Sequence, residues 1–219
     1  MIIYLDMDGV LADFFGALAT NYNVKHWKDI PHINQTLTEL KGTDFFNRIE
    51  PFDSTYNVVG YVKELTHLNQ HLQWGINSSP LRDDRDNSAY WKRVWLTRHN
   101  IMPDVQNLVF TANKEKYAVN YVDGTPNILI DDYGVNVRKW EASGGVGFKH
   151  KDHKFERTVK AIKKHIDTPV EEGKRIPRKK GQPVGSKKHS DLYTDENPKG
   201  TIHGLKFATV ADAKASVSK

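Results

Sequence analysis

Residues 2–10 of the chain read Ile-Ile-Tyr-Leu-Asp-Met-Asp-Gly-Val and are the most informative stretch of the sequence. The apolar run at their start favours β structure and predicts a short buried strand. Asp6 and Asp8 follow it with a spacing that places both carboxylates on the same side of an extended segment. Gly9 then allows the chain to turn. In isolation this pattern is more typical of an acidic turn than of a catalytic site, but it also suits an oxygen-ligand cation such as Mg²⁺.

Strand-like and helix-like patterns alternate from the N-terminus to Ile166. Further strands are predicted at 71–77, 107–110, 127–130 and 144–148, and helices at 11–19, 58–68, 90–95, 135–140 and 153–166. This alternation predicts an α/β fold in which a doubly wound, mostly parallel sheet has helices on both faces. Ligands of such sheets bind beyond the carboxyl ends of the strands.

Polar side chains follow the other predicted strands as well. Ser78 and Ser79 follow the second strand, Lys114 follows the third, and Asp131 and Asp132 follow the fourth. A serine turn can hold a phosphate, and a lysine beside carboxylates and an anion would neutralise charge. If two strands deliver acid pairs to the same sheet edge, four carboxylates lie close together, and without a metal their repulsion would strongly destabilise the fold. Each signal alone is weak, but together they predict one site.

The four strand ends resemble the motifs of the haloacid dehalogenase (HAD) superfamily of phosphohydrolases. Residues 6–14 are similar, almost letter for letter, to the first motif of its 5′(3′)-deoxyribonucleotidase family. Residues 78–80 resemble Thr-Ser-Pro, residues 111–114 resemble Thr-Arg-Asp-Lys, and residues 128–132 resemble Leu-Leu-Ile-Asp-Asp. The resemblance covers approximately residues 1–165. It implies a HAD-like fold with a small helical cap inserted after the first strand, at approximately residues 15–53.

The resemblance also implies the roles of the reacting groups. Asp6 would attack phosphorus to form an aspartyl-phosphate. Asp8 would protonate the leaving oxygen and later activate water. Ser78 and Lys114 would hold the phosphoryl oxygens, with Ser79 also assigned to phosphate binding.

The same family pattern assigns the metal ligands and one substrate contact. Mg²⁺ would be held by Asp6, Asp8 and Asp132, with Asp8 contributing its backbone carbonyl and Asp131 a supporting carboxylate. Phe14 matches a family position that lines the substrate site. For Phe45 and Phe46 of the cap, packing in the core is the favoured interpretation over stacking on a nucleobase.

The charge of the chain is uneven. The formal net charge is +5, but residues 1–150 hold 15 Lys+Arg against 18 Asp+Glu, whereas residues 151–219 hold 17 against 9. We therefore expect a phosphatase domain at 1–168, a basic flexible linker at 169–189 and a small segment of unknown role at 190–219. The basic C-terminal third is a candidate for nucleic-acid contact or for a solubilising tether. Within the domain, residues 82–86 are interpreted as a solvated charge run.

Composition excludes other classes of protein. The chain has no cysteine, which excludes disulfides, thiolate metal sites and a thiol nucleophile. It also shows neither a signal-peptide pattern nor an apolar stretch of membrane-spanning length, so we expect a cytoplasmic protein without a membrane partner.

These observations predict a Mg²⁺-dependent phosphomonoesterase that converts deoxyribonucleoside monophosphates to nucleoside and phosphate. One alternative is a phosphatase of nucleic-acid 3′ ends, suggested by the basic C-terminal third. Another is a non-catalytic HAD-fold binding module with a partner-recruiting tail. The sequence leaves open the base preference, the position of the phosphate, the selectivity for deoxyribose and the oligomeric state.

Overall fold

The computed structural model describes residues 1–167, together with the backbone of residues 201–202 and 205–206. The predicted linker at 169–189 lies outside the described residues, as does nearly all of the segment at 190–219. The chain divides into two units, Met1–Lys174 and Arg175–Lys219. In the second unit, β6 (Thr201–Ile202) pairs antiparallel with β7 (Leu205–Lys206).

The first unit is built on a sheet of five parallel strands. These are β1 (Ile2–Leu5), β2 (Gln73–Ser78), β3 (Leu108–Phe110), β4 (Ile128–Asp131) and β5 (Val146–Lys149). Their spatial order is β3-β2-β1-β4-β5, so β1 lies at the centre. In register, Ile3 of β1 pairs with Trp74 on one side and with Ile128 on the other. The predicted fold class is confirmed.

Helices connect the strands. They are α1 (Phe14–Asn21), α2 (Ile33–Glu39), α3 (Phe45–Arg48), α4 (Thr55–Leu68), α5 (Arg85–Arg98), α6 (Gly134–Ala142) and α7 (Phe155–Asp167). Short 3₁₀ helices lie at Trp27–Asp29, Val105–Asn107, Lys114–Tyr117 and Asp152–Lys154. Residues 24–53, where the sequence pattern alone predicts no helix, contain two α-helices, α2 and α3. The predicted insertion between β1 and β2 is otherwise observed.

The two faces of the sheet belong to separate hydrophobic clusters, because successive strand residues point to opposite sides. Ile3, Leu5 and Ile130 pack in the larger cluster with apolar residues of α4, α5 and α7. Tyr4 and Leu129 pack in the smaller cluster, which includes Trp140 of α6. Since all five strands are parallel, their carboxyl ends share one edge, and this edge carries the predicted site.

The sequence suggested that the charge run at 82–86 is solvated, but one of its acids, Asp84, is engaged in hydrogen bonds with the protein. Asp84 precedes α5, and its carboxylate accepts hydrogen bonds from the backbone amide of Gly42 at 3.1 Å and from the side chains of Asn87 and Ser88 at 3.0 Å each. Asn87 in turn donates to the carbonyl of Thr43 at 3.0 Å. Gly42 and Thr43 belong to the inserted segment, so this run joins the insertion to the start of α5.

Candidate active site

The site lies where the carboxyl ends of β1, β2 and β4 meet. Asp6 directly follows β1, Ser78 ends β2, and Asp131 ends β4. Lys114 begins the 3₁₀ helix that comes after β3. These four side chains are almost completely buried, so their charges interact with little screening by water.

Lys114 joins two of the acids. Its Nζ lies 2.7 Å from Asp6 Oδ2 and 2.7 Å from Asp131 Oδ2. Burial alone would lower the pKa of Lys114, but the two carboxylates outweigh burial and raise it overall. The lysine is therefore held as a cation between the acids, which is the charge state that phosphate binding needs.

Three carboxylates form a cluster that offers ligands to a metal. Asp6, Asp131 and Asp132 each present an oxygen, and these oxygens all lie within 4.8 Å of one another. Burial, with added repulsion from Asp6, raises the pKa of Asp131 to about 6. The same causes raise the pKa of Asp132 to about 7, with a further contribution from Asp131. Three acids at this separation resist full ionisation unless a cation joins them.

The two acids of the pair have different surroundings. Asp131 Oδ1 accepts from the amide of Tyr133 at 2.8 Å, and Oδ2 accepts from Asn136 at 3.0 Å in addition to Lys114. Both oxygens of Asp131 are thus engaged. No hydrogen-bond donor contacts the Asp132 carboxylate within the part of the chain that the structure describes. Asp132 is therefore the acid of the pair that is free to bind a metal directly.

Gly9 makes room for Asp132. It has φ of +80°, a conformation that favours glycine. A Cβ placed on Gly9 would clash with the Asp132 carboxylate and lie 2.6 Å from each of its oxygens. The glycine of the first motif therefore serves both the turn after β1 and the approach of the acid from β4.

A second buried lysine organises the other half of the site. Lys92 of α5 is fully buried, and its Nζ lies 2.6 Å from Asp8 Oδ2. The same ammonium donates to Ser78 Oγ at 2.8 Å and to the carbonyl of Ser79 at 2.8 Å. Burial raises the pKa of Asp8, Lys92 opposes the rise, and Asp6 adds to it. Because Ser78 Oγ accepts from Lys92, its own proton is free to point toward a ligand.

Sequence reasoning did not identify Lys92. The buried residues of α5 are Ser88, Lys92, Trp95 and Leu96, and this is the spacing of one helix face. Lys92 lies four residues after Ser88 and four before Leu96, on the inward face of the helix. A lysine on an inward helix face could have indicated a buried functional residue. Asn136, which holds Asp131, had no comparable signal.

Phe14 forms an aromatic cluster with Phe45 and Phe46 of the insertion. Its ring stacks on Phe46 with centroids 5.8 Å apart and meets Phe45 edge-on at 5.7 Å. All three rings are buried, and the Lys92 ammonium lies 4.7 Å from the centroid of Phe46. The cluster therefore covers the Lys92 side of the site. The contact of Phe14 with substrate stays a prediction.

The site fits a divalent cation by its donor chemistry. Carboxylate oxygens are the hard ligands that Mg²⁺ takes in proteins. Asp6 and Asp132 would hold the ion. Asp131 is bound to Lys114 and Asn136, and its supporting role at the metal stays a prediction. One oxygen of the Asp8 side chain is engaged with Lys92, and the metal contact through the Asp8 backbone carbonyl stays a prediction.

Comparison with known proteins identifies the family of this chain. A family model described as 5′ nucleotidase, deoxy (pyrimidine), cytosolic type C protein matches residues 1–162. The chain belongs to this family. It is therefore a HAD-type nucleotidase and a phosphoric monoester hydrolase, which confirms the resemblance stated above and the prediction of an enzyme.

Other comparisons of this nucleotidase add less. No curated protein is significantly similar to it. Among solved structures, the HAD domain of effector protein Lem4 from Legionella pneumophila, an inactive mutant, is 17% identical with a TM-score of 0.38. The match covers 75% of this chain and 91% of that chain. None of the helices in the described residues is long and apolar enough to cross a membrane.

Proposed function

We propose that this nucleotidase hydrolyses deoxyribonucleoside monophosphates in the presence of Mg²⁺ and releases nucleoside and phosphate. The observation that carries the proposal is the joining of Asp6 and Asp131 by Lys114, 2.7 Å from each, beside the unengaged Asp132. An anion bound there would meet a nucleophile, a fixed cation and a place for a metal within one buried cluster.

Asp6 is the proposed nucleophile. One carboxylate oxygen attacks phosphorus, the bond from phosphorus to the ester oxygen breaks, and an aspartyl-phosphate forms. Lys114 Nζ and the Ser78 hydroxyl bind the phosphoryl oxygens as charge develops on them. Asp6 and Asp132 would hold a Mg²⁺ ion, which would supply neutralisation of the phosphoryl charge.

Asp8 is the proposed acid and base. In the first step it gives its proton to the leaving ester oxygen. In the second it takes a proton from the water that attacks phosphorus, the bond from phosphorus to the Asp6 oxygen breaks, and phosphate leaves. The raised pKa of Asp8, caused first by burial, favours the protonated form that the first step needs. Lys92 holds one oxygen of this carboxyl in place, and Asp8 Oδ1 has no partner among the described residues.

The test is phosphate release from a panel of deoxyribonucleotides, ribonucleotides and sugar phosphates in Mg²⁺. We expect deoxyribonucleoside monophosphates to be hydrolysed fastest. Asp6→Asn, which keeps the shape of the side chain but removes the nucleophilic charge, should abolish the reaction. Wild-type activity that survives EDTA, or that equals the activity of the variant, would contradict the proposal.

The alternative of a phosphatase for nucleic-acid 3′ ends stays a prediction, because most of the basic C-terminal third that suggested it lies outside the described residues. Deleting residues 170–219 separates the two functions. Hydrolysis of monophosphates should continue without this stretch, whereas an activity that depends on it for holding a strand would collapse on a 3′-phosphorylated oligonucleotide.

A further inference from the structure

A cavity of about 410 Å³ adjoins the acid cluster. Gly9 and Asp132 form its side nearest the proposed metal, and α1, the 3₁₀ helix Trp27–Asp29 and the segment after β5 form the rest of its wall. This volume lies within the range of small-molecule sites. A substrate whose phosphate lies at Asp6 has this space directly beside it.

Three lysines line the cavity: Lys25, Lys149 and Lys151. All three are exposed, and none makes an ion pair with a carboxylate in the described residues. Two carboxylates of the same wall are already engaged. Asp13 accepts from the amide of Gly16 at 2.9 Å, and Asp152 accepts from the hydroxyl and the amide of Ser54. Asp13, Asp132 and Asp152 line the same cavity, but among the described residues none of them contacts a lysine ammonium of this wall. The three ammonium groups are therefore available to a bound anion.

The backbone keeps two of these lysines together. His150 lies between Lys149 and Lys151 and is fully buried. Its amide donates to the carbonyl of Asp131 at 2.9 Å, and its Nδ1 lies 3.0 Å from Thr158 Oγ1. In an extended segment, residues two apart point to the same side. The buried His150 thus fixes both lysines on the exposed side, next to the acid pair.

Aromatic rings complete the wall. Phe15 of α1 and Trp27 lie with centroids 4.8 Å apart and planes inclined by 31°. Both rings are partly exposed and line the cavity. A planar group with a phosphate attached matches this combination of aromatic surface and lysines.

We propose that the preferred substrates carry a second phosphate, which this cavity binds through Lys25, Lys149 and Lys151 while the first is hydrolysed at Asp6. The inference rests on the proposed nucleotidase chemistry and names its substrate class. The second phosphate is not cleaved. The second phosphate could be part of either of two substrates with the same chemistry: a free nucleoside 3′,5′-bisphosphate or the phosphorylated end of an oligonucleotide.

The first experiment compares kcat/KM for thymidine 5′-monophosphate, thymidine 3′-monophosphate, thymidine 3′,5′-bisphosphate and short oligonucleotides phosphorylated at either end. We expect kcat/KM for the bisphosphate to be about tenfold or more above that for either monophosphate, which is the gain that one or more charge-assisted contacts would give. In the Lys149→Gln/Lys151→Gln variant this ratio should fall toward one. Lys154→Gln is the matched control, because Lys154 is exposed on the same segment but does not line the cavity.

Equal kcat/KM values for mono- and bisphosphate in the wild type would overturn the inference, as would a ratio that survives the double substitution. If kcat/KM is higher for a phosphorylated oligonucleotide than for the free bisphosphate, the second phosphate belongs to a nucleic-acid end. If kcat/KM is higher for the free bisphosphate, the second phosphate belongs to a small nucleotide.

A binding measurement separates this inference from the proposed function. The Asp6→Asn variant in Mg²⁺ should bind the bisphosphate more tightly than either monophosphate, and Lys149→Gln/Lys151→Gln in the same background should remove the difference. If no nucleotide is hydrolysed, the proposed function fails, and the binding result still decides the inference. Equal affinities would overturn it.

Discussion

The Nζ atom of Lys92 lies 2.6 Å from the Asp8 carboxylate, at a position where the lysine is fully buried. This single ammonium also contacts Ser78 and the carbonyl of Ser79. It therefore ties together the proposed acid, a phosphate-binding hydroxyl and the end of β2. Removing one partner of such a buried group leaves the other charge unpaired, which is costly.

Replacing Lys92 with methionine should lower kcat by about a hundredfold or more, because Asp8 loses the contact that orients it for proton transfer. Steady-state kinetics on a nucleoside monophosphate measure this effect. Arg93→Met is the control, since Arg93 is the exposed neighbour on α5. A Lys92→Met enzyme with unchanged kcat would show that Lys92 is not needed to position Asp8.

Gly9→Ala should weaken both metal binding and turnover. The added Cβ would lie 2.6 Å from each oxygen of the Asp132 carboxylate, and the φ of +80° is strained for alanine. The affinity for Mg²⁺, measured by calorimetry, should fall. Gly60→Ala is the matched control, because no atom lies within 4 Å of a Cβ there and alanine favours the helix by about 0.5–1 kcal/mol. Equal Mg²⁺ affinity in the two variants would contradict this account of Gly9.

Asp84→Ala should destabilise the fold by about 1–3 kcal/mol, since it removes the acceptor of hydrogen bonds from Gly42, Asn87 and Ser88. Denaturant unfolding measures the change. Asp83→Asn is the control, because the Asp83 side chain is 75% exposed and its ion pair with Lys41 is 3.4 Å long, which predicts a cost below about 1 kcal/mol. Asparagine is used because it tolerates the φ of +61° at this position, which would strain alanine. If both substitutions cost the same, the contact between the insertion and α5 does not stabilise the fold.

Metal-free protein should lose stability as pH rises toward neutrality. Burial and neighbouring carboxylates raise the pKa of Asp132 to about 7, whereas an unfolded chain ionises an aspartate near about 4. Between these values the folded state binds more protons than the unfolded state, so the contribution of Asp132 to the free energy of unfolding falls with rising pH.

Thermal unfolding in EDTA and in Mg²⁺, at about pH 5 and about pH 8, measures this linkage. Mg²⁺ should raise Tm at the higher pH and have little effect at the lower one, where protons compete for the carboxylates. Asp132→Asn should remove most of the difference. A Mg²⁺ effect that is equal at both pH values would contradict the raised pKa.

The sequence was sufficient to predict the site residues at the strand ends. Asp6, Ser78, Lys114 and Asp131 each follow or end a short apolar run, and local periodicity identifies such runs. Parallel strands then bring their carboxyl ends to one edge, so the convergence of these side chains follows from the fold class.

The rest of the site depended on packing that local patterns do not encode. Lys92 lies on a helix and reaches the site only because α5 turns that face toward β2. The role of Asp84 depends on the approach of Gly42, which is distant along the chain. The resemblance implied a helical cap, but periodicity did not locate α2 and α3, because short helices in an insertion are held by tertiary contacts more than by their own pattern.

The measurement that tests the central claim most directly is a crystal structure of the protein with Mg²⁺ and a phosphoryl analogue. The account predicts one Mg²⁺ ligated by Asp6 and Asp132 at about 2.0–2.1 Å, with the analogue on Asp6 and in contact with Ser78 and Lys114. An ion bound away from Asp6 and Asp132, or an analogue bound elsewhere on the molecule, would contradict it.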